Sequence, residues 1–200
     1  FYGDGRNHVI TSLVEHKATL NTCKYLNGEL YSNNDPTTSL FGGKKKVDRG
    51  YEASFVGVNS DGEIDIEEIS SAIKENTALV SMLYVNNEIG AIEPVEEISK
   101  IVKAENKDIL FHVDAIQAYT KLRINPKSQG IDMLSASGHK FHGPKGVGFL
   151  YIDSNVKINP IIFGGGHQRG MRSGTLNTTG IAGMGVAAKE AYDNFDERIN

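Results

Sequence analysis

The chain holds 200 residues, with 21 Lys+Arg against 25 Asp+Glu, a formal charge of −4 and one cysteine. A single cysteine excludes an internal disulfide or a thiolate metal cluster built from this chain alone, and it suits a reducing, cytoplasmic setting. No apolar run approaches the ~20 residues that a bilayer span needs, and the mildly acidic balance argues against a nucleic-acid binder. The 22 glycines point instead to close backbone approach to some group, such as a phosphate.

The opening Phe1-Tyr2-Gly3-Asp4-Gly5 carries neither an initiator methionine nor a signal-peptide pattern, and reads as part of a longer protein. The first strand is predicted at His8-Val9-Ile10-Thr11-Ser12. A helix follows His16, because Leu20, Cys23 and Leu26 recur at roughly helical spacing. Residues 27–50 combine Asn33-Asn34-Asp35-Pro36, Gly42-Gly43 and Lys44-Lys45-Lys46, so a long exposed loop is predicted there. Ser54-Phe55-Val56-Gly57-Val58 reads as a strand, and Asp65 opens a short helix with Ile66, Ile69 and Ile73 on one face.

The run Ala78–Val85 is almost continuously apolar, as expected of a strand covered on both faces. Pro94 stands where a first helical residue belongs, and Val95, Ile98, Ile101 and Val102 make the inward stripe. Further strands are predicted at Ile109–Val113, running into Asp114, at Ile131–Ser135 and at Val147–Ile152, and a last helix from Ile181 to Asn200. Repeated strand–helix–strand order predicts an α/β fold, a mostly parallel sheet flanked by helices in three layers.

Ligands of such sheets bind beyond the carboxyl ends of the strands. Three polar segments fall there: Asn86-Asn87-Glu88; Asp114 with Gln117; and Ser135-Ala136-Ser137-Gly138-His139-Lys140. A carboxylate, amides, hydroxyls, an imidazole and an amine would gather on one edge. One chemistry uses a lysine and a strand-end acid together. Pyridoxal phosphate is held covalently by a lysine amine while an acid keeps its ring nitrogen protonated, which makes the ring an electron sink. Asp114 and Lys140 are the leading pair for that role.

Ser137-Gly138-His139-Lys140 with Gly143-Pro144-Lys145-Gly146 resembles the cofactor-lysine region of the cysteine desulfurases, in the class V branch of the fold-type-I pyridoxal-phosphate enzymes. Further blocks match in order: Thr11-Ser12 with Glu15-His16; Asn86-Asn87-Glu88-Ile89-Gly90; His112-Val113-Asp114-Ala115 with Gln117; and Gly164–Thr175. The likeness covers most of the chain except 27–50, and it implies a fold and a set of roles. His16 would stack on the cofactor ring and help move protons, and Asn87 would contact the ring hydroxyl side and the substrate. Asp114 would pair with the ring nitrogen, Gln117 with the ring oxygen, and Ser137 and His139 with the phosphate. Lys140 would carry the cofactor and act as the base. Thr175 would reach the phosphate of a partner subunit's cofactor, which implies a homodimer with shared sites.

The activity so implied is removal of sulfur from L-cysteine, leaving alanine and an enzyme persulfide, with onward delivery to an acceptor or scaffold protein for iron–sulfur clusters or thiolated cofactors. Selenocysteine lyase and other class V enzymes are the nearest alternatives. In the resemblance the nucleophilic cysteine lies on a loop downstream of the Ser173-Gly174-Thr175 block, and Cys23 is not at that position. Cys23 is expected to be a small buried residue. The phosphate turn before Phe1, the substrate-carboxylate arginine and the small C-terminal domain would also lie outside these residues. The chain is therefore expected to be the central part of a cofactor-binding large domain, and the non-enzymatic alternative is that by itself it folds and dimerises without turnover. Simpler readings compete: Asp114 could cap the following helix, Gly164-Gly165-Gly166 lacks the ending of a P-loop, and His139 with His142 lacks a third metal ligand.

Overall fold

A computed structural model describes residues 5–29 and 47–199. The loop predicted at 27–50 lies mostly outside the described residues. Six strands form one sheet: β1 (His8–Ser12), β2 (Glu52–Val56), β3 (Thr77–Leu83), β4 (Leu110–Asp114), β5 (Met133–Ser137) and β6 (Gly148–Ile152). Their order is β2-β1-β3-β4-β5-β6. The first five are parallel to their neighbours, and β6 runs antiparallel to β5. The connection from β5 to β6 carries no crossover helix, and only an antiparallel partner can follow so short a link.

The helices are α1 (Lys17–Leu26), α2 (Ile66–Ala72), α3 (Val95–Glu105), α4 (Thr178–Asp193) and α5 (Phe195–Ile199). From β1 the chain steps one way to β2, then returns past β1 to β3 and β4. Right-handed crossovers therefore put α1 on one face and α2 and α3 on the other. The main core lies under α2 and α3, where Ile10, Val80, Met82, Phe111 and Val113 of the sheet meet Ile69, Ile98 and Val102. All eight are buried to 1% exposure or less, so the central strands carry apolar side chains on the face where an exposed sheet would be polar.

Local chemistry explains the helix starts. Asp65 caps α2, its Oδ1 accepting from Glu67 N at 3.0 Å and Glu68 N at 3.2 Å. Pro94 caps α3 rather than forming its first turn, and Ser99 replaces Ile101 on the buried stripe because its Oγ donates to Gly130 O at 2.9 Å. The last helix starts three residues earlier than expected, with the Asn177 side chain accepting from Gly180 N, and it breaks at Asn194. No helix among the described residues is long and apolar enough to cross a membrane.

Candidate active site

β1, β3, β4 and β5 end on the same edge of the sheet, and a cleft of about 270 Å³ opens above them. It is lined by His16, Leu83, Val85, Asn87, Asp114, Ile116, Gln117, Ser137, His139 and Lys140. Seven of the eight residues singled out in the sequence thus meet in one place, although 124 positions separate His16 from Lys140. The direction reversal between β2 and β3 leaves a gap at the strand ends, and the loops after β1 and β3 diverge around it.

His16 is the N-cap of α1, and its Nδ1 accepts from Ala18 N at 3.2 Å. In the neutral ring the proton is therefore on Nε2, which is free for work in the cleft. Asn87 follows the tight turn after β3, where Asn86 Oδ1 accepts from Glu88 N at 2.8 Å and Ile89 N at 3.1 Å. Asn86 Nδ2 also donates to Val14 O at 3.1 Å, which joins this turn to the loop before α1.

Asp114 ends β4 and is 7% exposed. One carboxylate oxygen accepts from Ile116 N at 3.0 Å in the turn after β4; no helix forms between β4 and β5, so the helix-capping alternative does not hold, and the residue lines the cleft. Two residues earlier, His112 bridges Ser81 Oγ and Ser135 Oγ, each at 2.8 Å. Burial pushes the His112 pKa down, with Asp114 opposing it. The result is a polar row under the cleft held by a neutral imidazole.

Lys140 sits in a 3-10 turn, Gly138–Phe141, directly after β5. Phe141 is 2% exposed and anchors the turn, so Lys140 is turned outward into the cleft. His142 ends the turn with φ 66°, and Gly138 O accepts from Gly143 N at 2.9 Å. A Cβ on Gly143 would stand 2.9 Å from that oxygen, so the turn would have to shift to admit one. Ser137 Oγ and His139 Nδ1 lie 2.9 Å apart beside Lys140, one hydroxyl and one imidazole on the same rim.

Thr175 is exposed and is not among the residues lining the cleft. Its segment is flanked by exposed apolar residues, Ile161 at 88%, Phe163 at 82% and Leu176 at 37%. Cys23 is buried on α1, and burial pushes its thiol up to about 11. A thiol held protonated in the interior is a poor nucleophile.

The sequence reading missed Glu15, Asn86 and the Ser81–His112–Ser135 row. Glu15, Asn86, His112 and Ser135 stood inside segments that the sequence singles out, but only burial and partners distinguish them from ordinary polar residues.

A largely parallel α/β sheet thus carries a lysine, a buried acid and a hydroxyl–imidazole rim together at its carboxyl edge. The family model "Aminotransferase class-V" matches residues 43–196, and the chain belongs to that family. A cysteine desulfurase of Nostoc sp. is 42% identical over 184 residues, which is 92% of this chain and 40% of the relative. A solved NifS-like protein superposes with a TM-score of 0.85 at 40% identity, covering 98% of this chain and 48% of that one. A structure titled "SspA in complex with cysteine" gives a TM-score of 0.78 at 38% identity, over 93% and 48%. The chain thus spans less than half the length of these relatives.

Proposed function

We propose that this chain is the central part of the cofactor-binding large domain of a pyridoxal-phosphate-dependent cysteine desulfurase. The observation that carries the reading is the convergence of Lys140, Asp114, Gln117, Asn87, Ser137, His139 and His16 on one cleft. The names of the relatives support the same choice within the family.

The cleft fits the cofactor. Leu83, Val85 and Ile116 offer apolar walls to a flat ring, a buried acid stands at one end, and a hydroxyl–imidazole pair stands beside the amine. Lys140 would hold the cofactor through its amine, Asp114 would hold a proton on the ring nitrogen, and Gln117 would donate to the ring oxygen. Ser137 and His139 would bind the phosphate, His16 would cover the ring, and Asn87 would face the ring hydroxyl side and the substrate. When bound, pyridoxal phosphate supplies an electron sink for bonds broken at the substrate's α-carbon.

The work of this chain's own residues is positioning and proton transfer. Asp114 is fixed by its bond from Ile116 N, so its second oxygen can stay aimed at one point. Lys140 is exposed on a braced turn and can carry a proton to or from the substrate. His16 has Nε2 available on the opposite wall for the same purpose. In the net reaction the C–S bond of L-cysteine breaks, its carbon gains a proton to give alanine, and the sulfur bonds to an enzyme thiol as a persulfide. Cys23 is not that thiol, because it is buried and held protonated. The accepting cysteine belongs to another part of the protein, and the isolated 200-residue chain is expected to release no sulfide.

Exposed Ile161, Phe163 and Leu176 around Thr175 support a homodimer in which that segment reaches the partner's site. Delivery of sulfur to an acceptor protein in the cytoplasm completes the proposal.

Absorbance of the lysine-bound cofactor tests it. The full-length protein should show the long-wavelength band with added pyridoxal phosphate, and Lys140→Ala should abolish it. A band that survives unchanged in K140A overturns the assignment.

A further inference from the structure

Beneath the cleft lies a carboxyl group that none of these steps uses. Glu15 is 5% exposed and directly precedes His16. Its Oε1 accepts from Leu83 N at 2.7 Å and from Ser12 Oγ at 3.0 Å. Its Oε2 is buried without a hydrogen-bond partner. Leu83 is the β3 residue paired with Asp114 of β4, and Leu83, Asp114 and His16 all line the cleft. Through Leu83 N, Glu15 fastens the loop after β1 to the end of β3, beside the second tie from Asn86 Nδ2 to Val14 O.

Among the described residues, the titratable groups facing Glu15 give it no countercharge. Asp114 acts on it from the end of β4, Glu93 from the segment entering α3, and the Cys23 thiol of α1 is its third neighbour. An ionised Glu15 would leave an anionic oxygen buried, without a donor, and opposed by two acids. A protonated Glu15 leaves only a neutral hydroxyl, which costs far less to bury.

We propose that Glu15 is a positioning residue that works in its protonated form. As a neutral strut it seats His16 against the cleft and adds no buried charge beneath it. Burial above all pushes the Glu15 carboxyl up to about 8, with Asp114 and Glu93 adding to the rise. The claim deepens the proposed cofactor reading, and its consequence for cofactor binding rests on that reading.

Glu15→Gln and Glu15→Asp in the full-length protein decide it. Glutamine keeps the acceptor for Leu83 N and replaces the hydroxyl with a neutral amide, whereas aspartate is too short to span the loop. Infrared spectra of the cofactor-free protein should show, at neutral pH, a protonated-carboxyl absorption that E15Q removes and Glu93→Gln does not. That absorption should titrate away near the value of about 8. E15Q should bind pyridoxal phosphate within about twofold of wild type, and E15D at least ~10-fold more weakly. Above that pH the affinity of the wild type should fall and that of E15Q should not, a difference that a purely structural side chain would not produce. An E15Q spectrum identical to wild type at neutral pH overturns the proposal, as does an E15Q affinity as poor as that of E15D. Should E15D fail to fold, the infrared and pH-profile results of the isosteric E15Q decide alone. Should wild type bind no cofactor, the functional reading falls, while the infrared titration still judges Glu15.

Discussion

Asp114 carries two duties on two oxygens. One accepts from Ile116 N and shapes the chain after β4, and the other is available to the cleft. Asp114→Asn separates them, because an amide oxygen can keep the first bond but the side chain can no longer hold a proton on a ring nitrogen. Full-length D114N should therefore melt within a few degrees of wild type, yet turn over L-cysteine at least ~100-fold more slowly, as loss of a positioned acid–base partner requires. Steady-state sulfide assays beside calorimetry check both halves. Lys140, Asp114 and the Ser137–His139 pair were legible in the sequence because their residue types are unusual together at strand ends. Glu15 and His112 were not, because a glutamate or histidine acquires its role from burial and partners that sequence spacing does not reveal. Asn87 and Gln117 stood between: the family resemblance gave them roles that their residue types alone would not have suggested.

At the scale of elements, the turn after β5 is the most constrained piece. Gly138 O receives the Gly143 amide, a Cβ on Gly143 would meet that oxygen at 2.9 Å, and Phe141 pins the turn to the interior. Gly143→Ala should displace the turn and cost ~1–3 kcal/mol in stability, the usual range for overpacking. Cofactor affinity should fall with it, measured by titrating pyridoxal phosphate against the variant. In α3, Ile98 is fully buried in the main core. Ile98→Ala should cost ~2–5 kcal/mol by urea denaturation while leaving the arrangement of the cleft intact, since it lies on the opposite face of the sheet. Strand and helix existence followed from apolar periodicity throughout. Helix starts shifted by one residue at Pro94 and by three at Asn177, because a cap depends on local backbone geometry more than on hydrophobicity.

Across the whole molecule, buried titratable groups set the pH response. The Glu15 and Glu93 carboxyls are raised, so the folded state holds protons there that the unfolded chain releases, and stability falls as pH rises above the ordinary carboxylate range. For Glu15 that loss is complete above about 8. His8 and His112 are lowered, chiefly by burial, so their contribution is lost in the other direction, as pH falls below the ordinary histidine range. Denaturation midpoints taken from mildly acidic to mildly alkaline pH should therefore decline less for E15Q than for wild type. A second whole-molecule prediction concerns assembly. Phe163 is 82% exposed next to Ile161 at 88%, an apolar pair that water does not favour. Phe163→Ser should weaken self-association of the full-length protein at least ~10-fold in sedimentation, with no loss of monomer stability.

The alternation of apolar strands with amphipathic helices was enough to determine a parallel α/β sheet, since strands buried on both faces are mostly covered by crossover helices. It was also enough to mark the carboxyl edge as the place for chemistry. Which end groups meet depended on strand order, which no local pattern encodes. The step from β1 out to β2 and back to β3 sets His16 opposite Lys140, brings Leu83 beside Asp114, and shuts Glu15 away from water with one oxygen unpartnered. Hydrophobic period is a property of neighbours along the chain, whereas proximity, burial and charge are properties of neighbours in space.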